Sequence, residues 1–232
     1  MKKILVILAT FLYVLGVFAE EKRMPPVFIS NGTYGGVMIA PPVKPFSEVK
    51  NKNVIKQKLD FSCGSAAVAT VLNYYLGLKV TEDQIINGLF KVGNLELIMK
   101  RRGFSLLDIK RFITLLGYKA VGYKTDIKHL QMLKKPAIVT IVLGKYKHYV
   151  VFKGVKDGRV LLADPAFGNM ILPVEEFKNI WYRNIALVVY PPGDKEIDSL
   201  MSEEEQIWVK NDTLRTTLNT LLPAMFKSFK EF

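Results

Sequence analysis

Cysteine is nearly absent from this chain of 232 residues: it occurs once, at Cys63, and histidine occurs only twice. One thiol excludes a disulfide within the chain, and one thiol with two separated histidines does not make a typical zinc site. No metal or organic cofactor is implied. After its first residues the sequence also lacks an apolar run long and charge-free enough to span a bilayer, which takes roughly 20 residues. It lacks repeats, low-complexity tracts and any recognised nucleic-acid motif. Its basic residues are scattered, so nucleic acid is not an expected partner.

Acidic residues are the minority, 21 against 33 Lys and Arg, for a formal net charge of +12. The shortage is uneven. After Pro191 acidic side chains outnumber basic ones, so the tail is negative and the middle of the chain is more positive than the whole. An acidic partner, an anionic envelope surface or the tail itself are candidates to answer that field. Solubility and a lysine-rich proteome are the favoured explanation.

The chain opens with a secretory-signal pattern. Lys2 and Lys3 precede an apolar run from Ile4 to Phe18, and Val17-Phe-Ala19 supplies the residues a signal peptidase reads. Residues 1–19 are therefore expected to be removed and the protein exported, with the periplasm as the expected compartment. No cysteine follows the run, which excludes a lipid-modified Cys anchor. Residues 20–50, with Pro25-Pro26, Gly35-Gly36 and Pro41-Pro42, read as an arm. A domain is expected over 51–190. Residues 191–232 form an acidic, helical tail whose stripe of Leu214, Leu218, Leu221, Leu222, Met225 and Phe226 would pack on the domain, a second copy or a membrane.

Within 51–190 helices come first. Ser62–Tyr75 is a buried helix stopped by Gly77, Thr81-Glu-Asp-Gln84 caps a second running to Phe90, and Ser105-Leu-Leu-Asp108 caps a third ending before Gly117. Strands follow at 119–124, 137–143, 149–152, 159–163 and 185–189, with a turn at Lys156-Asp-Gly158. Helices first and an antiparallel sheet afterwards is an α+β layout.

Cys63 stands at the start of the first of these helices, with Gln57 six positions upstream. A helix N-terminus favours the thiolate, the reactive form of a cysteine whose intrinsic pKa is about 8.5. A small buried core residue is the other reading of Cys63. His129 lies in a charged stretch, Ile127-Lys-His-Leu-Gln-Met-Leu-Lys-Lys, that reads as an exposed short helix, which makes it a surface residue. His148 begins an apolar strand and is the credible base. If the strands flanking Lys156-Asp-Gly158 pair, Asp164 falls at the same end of the hairpin as His148, within cross-strand or diagonal reach. It would then fix the imidazole tautomer, although a turn aspartate before Pro165 is the ordinary alternative. Gln57 suits an amide donor to an oxyanion, or an exposed polar residue in a Lys-rich loop. Asn53 and Asp60 are polar neighbours without a role.

Gln57, then Cys63-Gly-Ser-Ala-Ala, then Asn73-Tyr-Tyr75 resembles the C39 family of cysteine peptidases, the bacteriocin-processing or double-glycine peptidases. The same order continues through Ser105-Leu-Leu-Asp-Ile-Lys-Arg, Pro136-Ala-Ile-Val, His148-Tyr-Val-Val151, Asp164-Pro165 and Phe177-Lys-Asn-Ile-Trp181, over about 54–190. The resemblance implies a papain-like fold, with Cys63 as nucleophile, His148 as base then acid, Asp164 as orienter and Gln57 as oxyanion donor. Many members are domains of ABC exporters that remove leader peptides after Gly-Gly. This chain departs from them: it has no Gly-x-x-x-x-Gly-Lys-Ser/Thr P-loop and carries an export signal. The function expected is an exported endopeptidase acting on an extended peptide segment of a protein substrate, with a secreted fibre, pilus or adhesin component as the associated client. A non-catalytic client-binding module and a cysteine acyltransferase or transamidase are the rivals.

Overall fold

The computed structural model describes residues 27–29, 37–39, 46–213 and 216. The expected signal peptide, and the tail stripe from Leu214 to Phe226, lie outside the described residues. The chain divides into two compact units, 1–45 and 46–232. In the first, β1 (Val27–Ile29) pairs antiparallel with β2 (Val37–Ile39), Val27 opposite Ile39. The arm read as irregular thus carries a short strand pair. Its last residues belong to the second unit, which begins with α1 (Phe46–Asn51).

In that second unit α2 (Cys63–Tyr75), α3 (Glu82–Val92), α4 (Leu95–Arg101) and α5 (Leu106–Leu115) precede the sheet. Thr81 and Ser105 close capping boxes with Gln84 and Asp108, so two starts are fixed by local chemistry. The strands are β3 (Lys119–Lys124), β4 (Ala137–Leu143), β5 (Tyr146–Lys156), β6 (Arg159–Asp164), β7 (Gly168–Pro173) and β8 (Trp181–Tyr190). They form one antiparallel sheet in the order β3-β8-β4-β5-β6-β7. Two further short helices, α6 (Ile127–Met132) and α7 (Val174–Ile180), interrupt the strands, and 203–213 forms α8.

Alternate residues of a strand face opposite sides, and both sides of this sheet are buried. On one, Ile138, Val151, Leu187 and Val189 meet α2, α3 and α5 through residues such as Val71, Leu89 and Ile109. On the other, Val139, Val150, Phe152 and Leu162 meet Ile127 and Leu130 of α6 and Phe177 of α7. A third group joins Leu161 to Met201 and to Val209 of α8, so the tail helix completes the cover. Gly64 allows α2 to approach β5: an added Cβ would stand 3.2 Å from Tyr149.

The β5–β6 hairpin sets the site. Asp157 and Gly158 both hold positive φ, 50° and 72°, as a two-residue turn that matches strand twist requires. Lys156 pairs with Arg159, but the register shifts between Phe152 and Gly154, so Lys153 is an extra, bulged residue. Beyond the bulge Val151 faces Ala163, and pairing stops there. β5 overruns its partner as far as Tyr146.

Candidate active site

Cys63 is the first residue of α2, and it is buried with 5% exposure. The helix N-terminus around it is free of competing anions: Ser62 makes no side-chain cap, and no acidic residue occupies the first turn. The Ser62 hydroxyl donates instead to the Leu59 carbonyl at 2.8 Å. The positive end of the helix is left to the sulfur.

His148 comes from the overrunning part of β5, diagonal to Asp164 at the end of β6. Its Nε2 lies 2.9 Å from Asp164 Oδ1, and both residues are buried. The same imidazole acts on the Cys63 thiol, lowering its pKa while the thiol raises that of the ring. With Nε2 committed to the carboxylate, Nδ1 is the ring nitrogen left for the thiol. Asp164 Oδ1 also accepts the N–H groups of Ala166 at 2.6 Å and Phe167 at 3.0 Å. Three donors on one oxygen hold the carboxylate in place. Oδ2 is buried without a hydrogen-bond partner, so no second donor turns the group away from the imidazole.

The electrostatics follow from these contacts. Burial pushes the Cys63 thiol up, but the His148 imidazole, the Tyr149 backbone N–H and the Tyr146 hydroxyl outweigh it, and the net shift is downward. For His148 burial acts to lower the pKa, yet the Asp164 and Cys63 hydrogen bonds and charges raise it to about 9. Opposite shifts in touching groups favour a thiolate–imidazolium pair.

Gln57 is half-buried on the loop leading into α2. Its backbone N–H donates to the Pro165 carbonyl at 2.9 Å, and Lys56 Nζ donates to the Ala166 carbonyl, so this loop is stitched to the Asp164 turn. The Gln57 amide donates to the Leu59 carbonyl at 3.0 Å, while its oxygen is buried without a partner. An amide nitrogen has two hydrogens, so one remains uncommitted. The sequence thus picks out Cys63, His148 and Asp164, which the fold gathers, and Gln57, which it holds beside them on an adjoining loop. His129 is exposed and hydrogen-bonds Asp126. Asn53 adopts φ 53° in the loop after α1. Asp60 takes part through its carbonyl.

Tyr146 was not legible beforehand. Its hydroxyl lies 3.9 Å from Cys63 Sγ and 3.0 Å from the Asp60 carbonyl. The available signal was strand alternation, which puts residue 146 on the same side as 148, but the apolar run that marks the strand begins only at Tyr149. Beside Tyr146 a groove of about 550 Å³ is lined by Phe61, Phe90, Ile98 and Met99, with Arg101 and Arg102 at its edge.

Helices that deliver a thiol to an antiparallel sheet, where an imidazole and a carboxylate stand on adjoining strands, describe the papain-like cysteine peptidases, and this α+β protein is one of them. Comparison with protein families narrows the class. The model of the peptidase C39 family matches residues 51–193, and the chain belongs to that family. It is 33% identical over 198 residues to the probable functional amyloid protease FapD of Pseudomonas aeruginosa, spanning 85% of this chain and 84% of that one. With FapD of Pseudomonas fluorescens the identity is 32% over 190 residues, spanning 82% and 81%. Among solved structures, the peptidase domain of Streptococcus ComA, a bi-functional ABC transporter involved in a quorum-sensing pathway, aligns with a TM-score of 0.50. That alignment spans 60% of this chain and 97% of the domain at 23% identity, and it marks a shared fold.

Proposed function

We propose that this peptidase is exported and cleaves an extended segment of a secreted fibre component, with Cys63 as nucleophile. The observation that carries the mechanism is the buried His148–Asp164 contact of 2.9 Å with the Cys63 thiol on the same imidazole. Cys63 gives its proton to His148, and the thiolate attacks the scissile carbonyl. The oxyanion so formed meets the N–H groups at the start of α2 and the uncommitted amide hydrogen of Gln57. His148 then protonates the leaving amine, and water, with the imidazole as base, releases the acyl group. Asp164 keeps the ring oriented and its charged form stable throughout.

Two separate features support the substrate class. Tyr146, whose hydroxyl lies 3.9 Å from Cys63 Sγ, also lines a groove of about 550 Å³ with largely apolar walls. The FapD relatives, which align along most of their length, carry the name of functional amyloid proteases. The signal pattern of residues 1–19 supports export to the periplasm.

The test is mass spectrometry of exported proteins from cells carrying the intact gene or the Cys63→Ala variant. Loss of one set of fibre-component fragments with the variant is the expected result. Unchanged processing would remove the proteolytic assignment, and fragments carrying a transferred amine instead of a free carboxylate would reassign the chemistry to acyl transfer.

A further inference from the structure

One neighbour of the sulfur has no place in the chemistry above. Tyr146 precedes His148 by two positions on β5, so their side chains leave the strand on the same side, with ring centres 6.0 Å apart. Its Oη touches two groups, Cys63 Sγ at 3.9 Å and the Asp60 carbonyl at 3.0 Å. A phenol carries one hydrogen, and a carbonyl can only accept. With that hydrogen on Asp60, and the single S–H of the neutral thiol directed at His148 Nδ1, the phenol and the sulfur share no hydrogen. This bonding belongs to the neutral thiol.

Once the Cys63 proton has passed to His148, the sulfur is an anion and a stronger acceptor than a neutral carbonyl. The phenol O–H then turns from the Asp60 carbonyl to the sulfur. Rotation about one C–O bond suffices, because both acceptors already lie within reach.

We infer that Tyr146 is a further catalytic residue, a hydroxyl switch that donates to the Asp60 carbonyl beside the neutral thiol and to Sγ beside the thiolate. The inference rests on the assignment of Cys63 as nucleophile. Desolvation and the negative charges of Cys63, Asp60 and Asp164 push the Tyr146 phenol up to about 12, so it keeps its proton across the working range. Tyr146 is 47% exposed at the mouth of the groove, so core packing does not account for its position.

The switch has a signature that a packing role lacks. A hydrogen bond to the thiolate enlarges the reactive fraction when pH lies below the thiol pKa. Above that pKa every sulfur is already ionised, and the same bond only damps its nucleophilicity. When the sulfur becomes a thioester its charge is gone, and the hydroxyl returns to Asp60.

The experiment is alkylation of Cys63 by iodoacetamide in the full chain from pH 5 to 9, followed by mass, for wild type, Tyr146→Phe and Tyr146→Leu. Matched melting temperatures certify the fold, and either folded variant suffices. The alkylation midpoint should rise by about half a unit to one unit in both variants, a long hydrogen bond to a charged sulfur being lost. At pH 5.5 the rate should fall about two- to fourfold, the greater nucleophilicity of a more basic thiolate offsetting part of the loss. At pH 9 it should equal or exceed wild type. An unmoved midpoint, or a uniform fall at every pH, overturns the switch while leaving Cys63 as nucleophile. A wild-type midpoint near the ordinary 8.5 or so overturns both.

Discussion

At the scale of single residues, the opposite shifts of Cys63 and His148 set a working window. In the proposed mechanism the thiol must be ionised and the imidazole must hold a proton for the leaving amine. A depressed thiol pKa admits activity from the acid side, and a raised histidine pKa keeps the imidazolium present until pH climbs through about 9. A plot of kcat/KM against pH should therefore be bell-shaped, with its alkaline limb near 9, the value raised by Asp164 and Cys63. Asp164→Asn keeps an acceptor oxygen for the two backbone N–H groups but removes the charge. It should cut kcat/KM by about 10–100-fold and move the alkaline limb toward 6.5 or so, the value of an unperturbed histidine. Asp164→Ala should cost more, because it leaves three donors without an acceptor. Gln57→Ala should lower kcat by about 10²–10³-fold with little change in KM, as loss of an oxyanion donor does, and steady-state kinetics checks the split. His148 and Asp164 were legible as a pair because an Asp-Gly turn fixes which residues of β5 and β6 end together, and Cys63 because it is the one thiol and starts a helix. Tyr146 was not, because Lys145, Lys147 and His148 mask the start of a strand whose apolar pattern begins at Tyr149.

At the scale of elements, the bulge at Lys153 ties the site to the tail. Lys153 is fully buried, and its ammonium pairs with the equally buried Glu205 of α8 and donates to Asn169 Oδ1 at 3.2 Å. Asn169 in turn donates to the carbonyls of Val49 at 3.0 Å and Lys52 at 2.8 Å, at the root of the loop that carries Gln57. Desolvation pushes the Lys153 pKa down, and the Glu205 carboxylate opposes it. Glu205→Gln keeps the shape but strands a buried cation, so urea unfolding should show a loss of about 3–5 kcal/mol. Gly168 starts β7 with φ +86°, and an added Cβ would stand 2.5 Å from the Lys50 carbonyl. Gly168→Ala should therefore destabilise by more than about 1 kcal/mol in the same assay, through strain and backbone displacement together. The elements missed from sequence share a cause. In α4 Leu95, Leu97 and Met99 face outward and Ile98 alone is buried, so no apolar stripe marks a helix. β7 begins at Gly168 and ends at Pro173, residues that signal turns.

At the scale of the whole molecule, the uneven charge has a structural outlet. Lys134, Lys135, Lys153, Lys52 and Arg159 of the body pair with Glu196, Asp194, Glu205, Glu204 and Asp212 of the tail. Most of these pairs are exposed or half-exposed, worth about 0–1 kcal/mol each and weakened by salt. The buried Lys153–Glu205 pair and the Leu161, Met201 and Val209 cluster hold the tail regardless of ionic strength. Deleting residues 199–232 should thus lower stability by at least about 3 kcal/mol, and high salt should not reproduce that loss in the intact chain. The sequence identified the tail's charge but not its occupant, because a bulged lysine leaves no mark in an apolar pattern. The α+β layout was readable from capping boxes followed by β-rich runs. Of the helices covering the second face, α6 was legible as a short helix around His129, whereas α7, which buries only Phe177, was harder to see.

In the proposed mechanism one imidazole holds the lone thiol of this protein in its anionic form. The direct measurement is the iodoacetamide reaction rate of Cys63 at pH 6 in wild type and in His148→Ala. Wild type should react about tenfold faster or more, the ion pair with His148 having lowered the thiol pKa. Equal rates in the two folded proteins would contradict it.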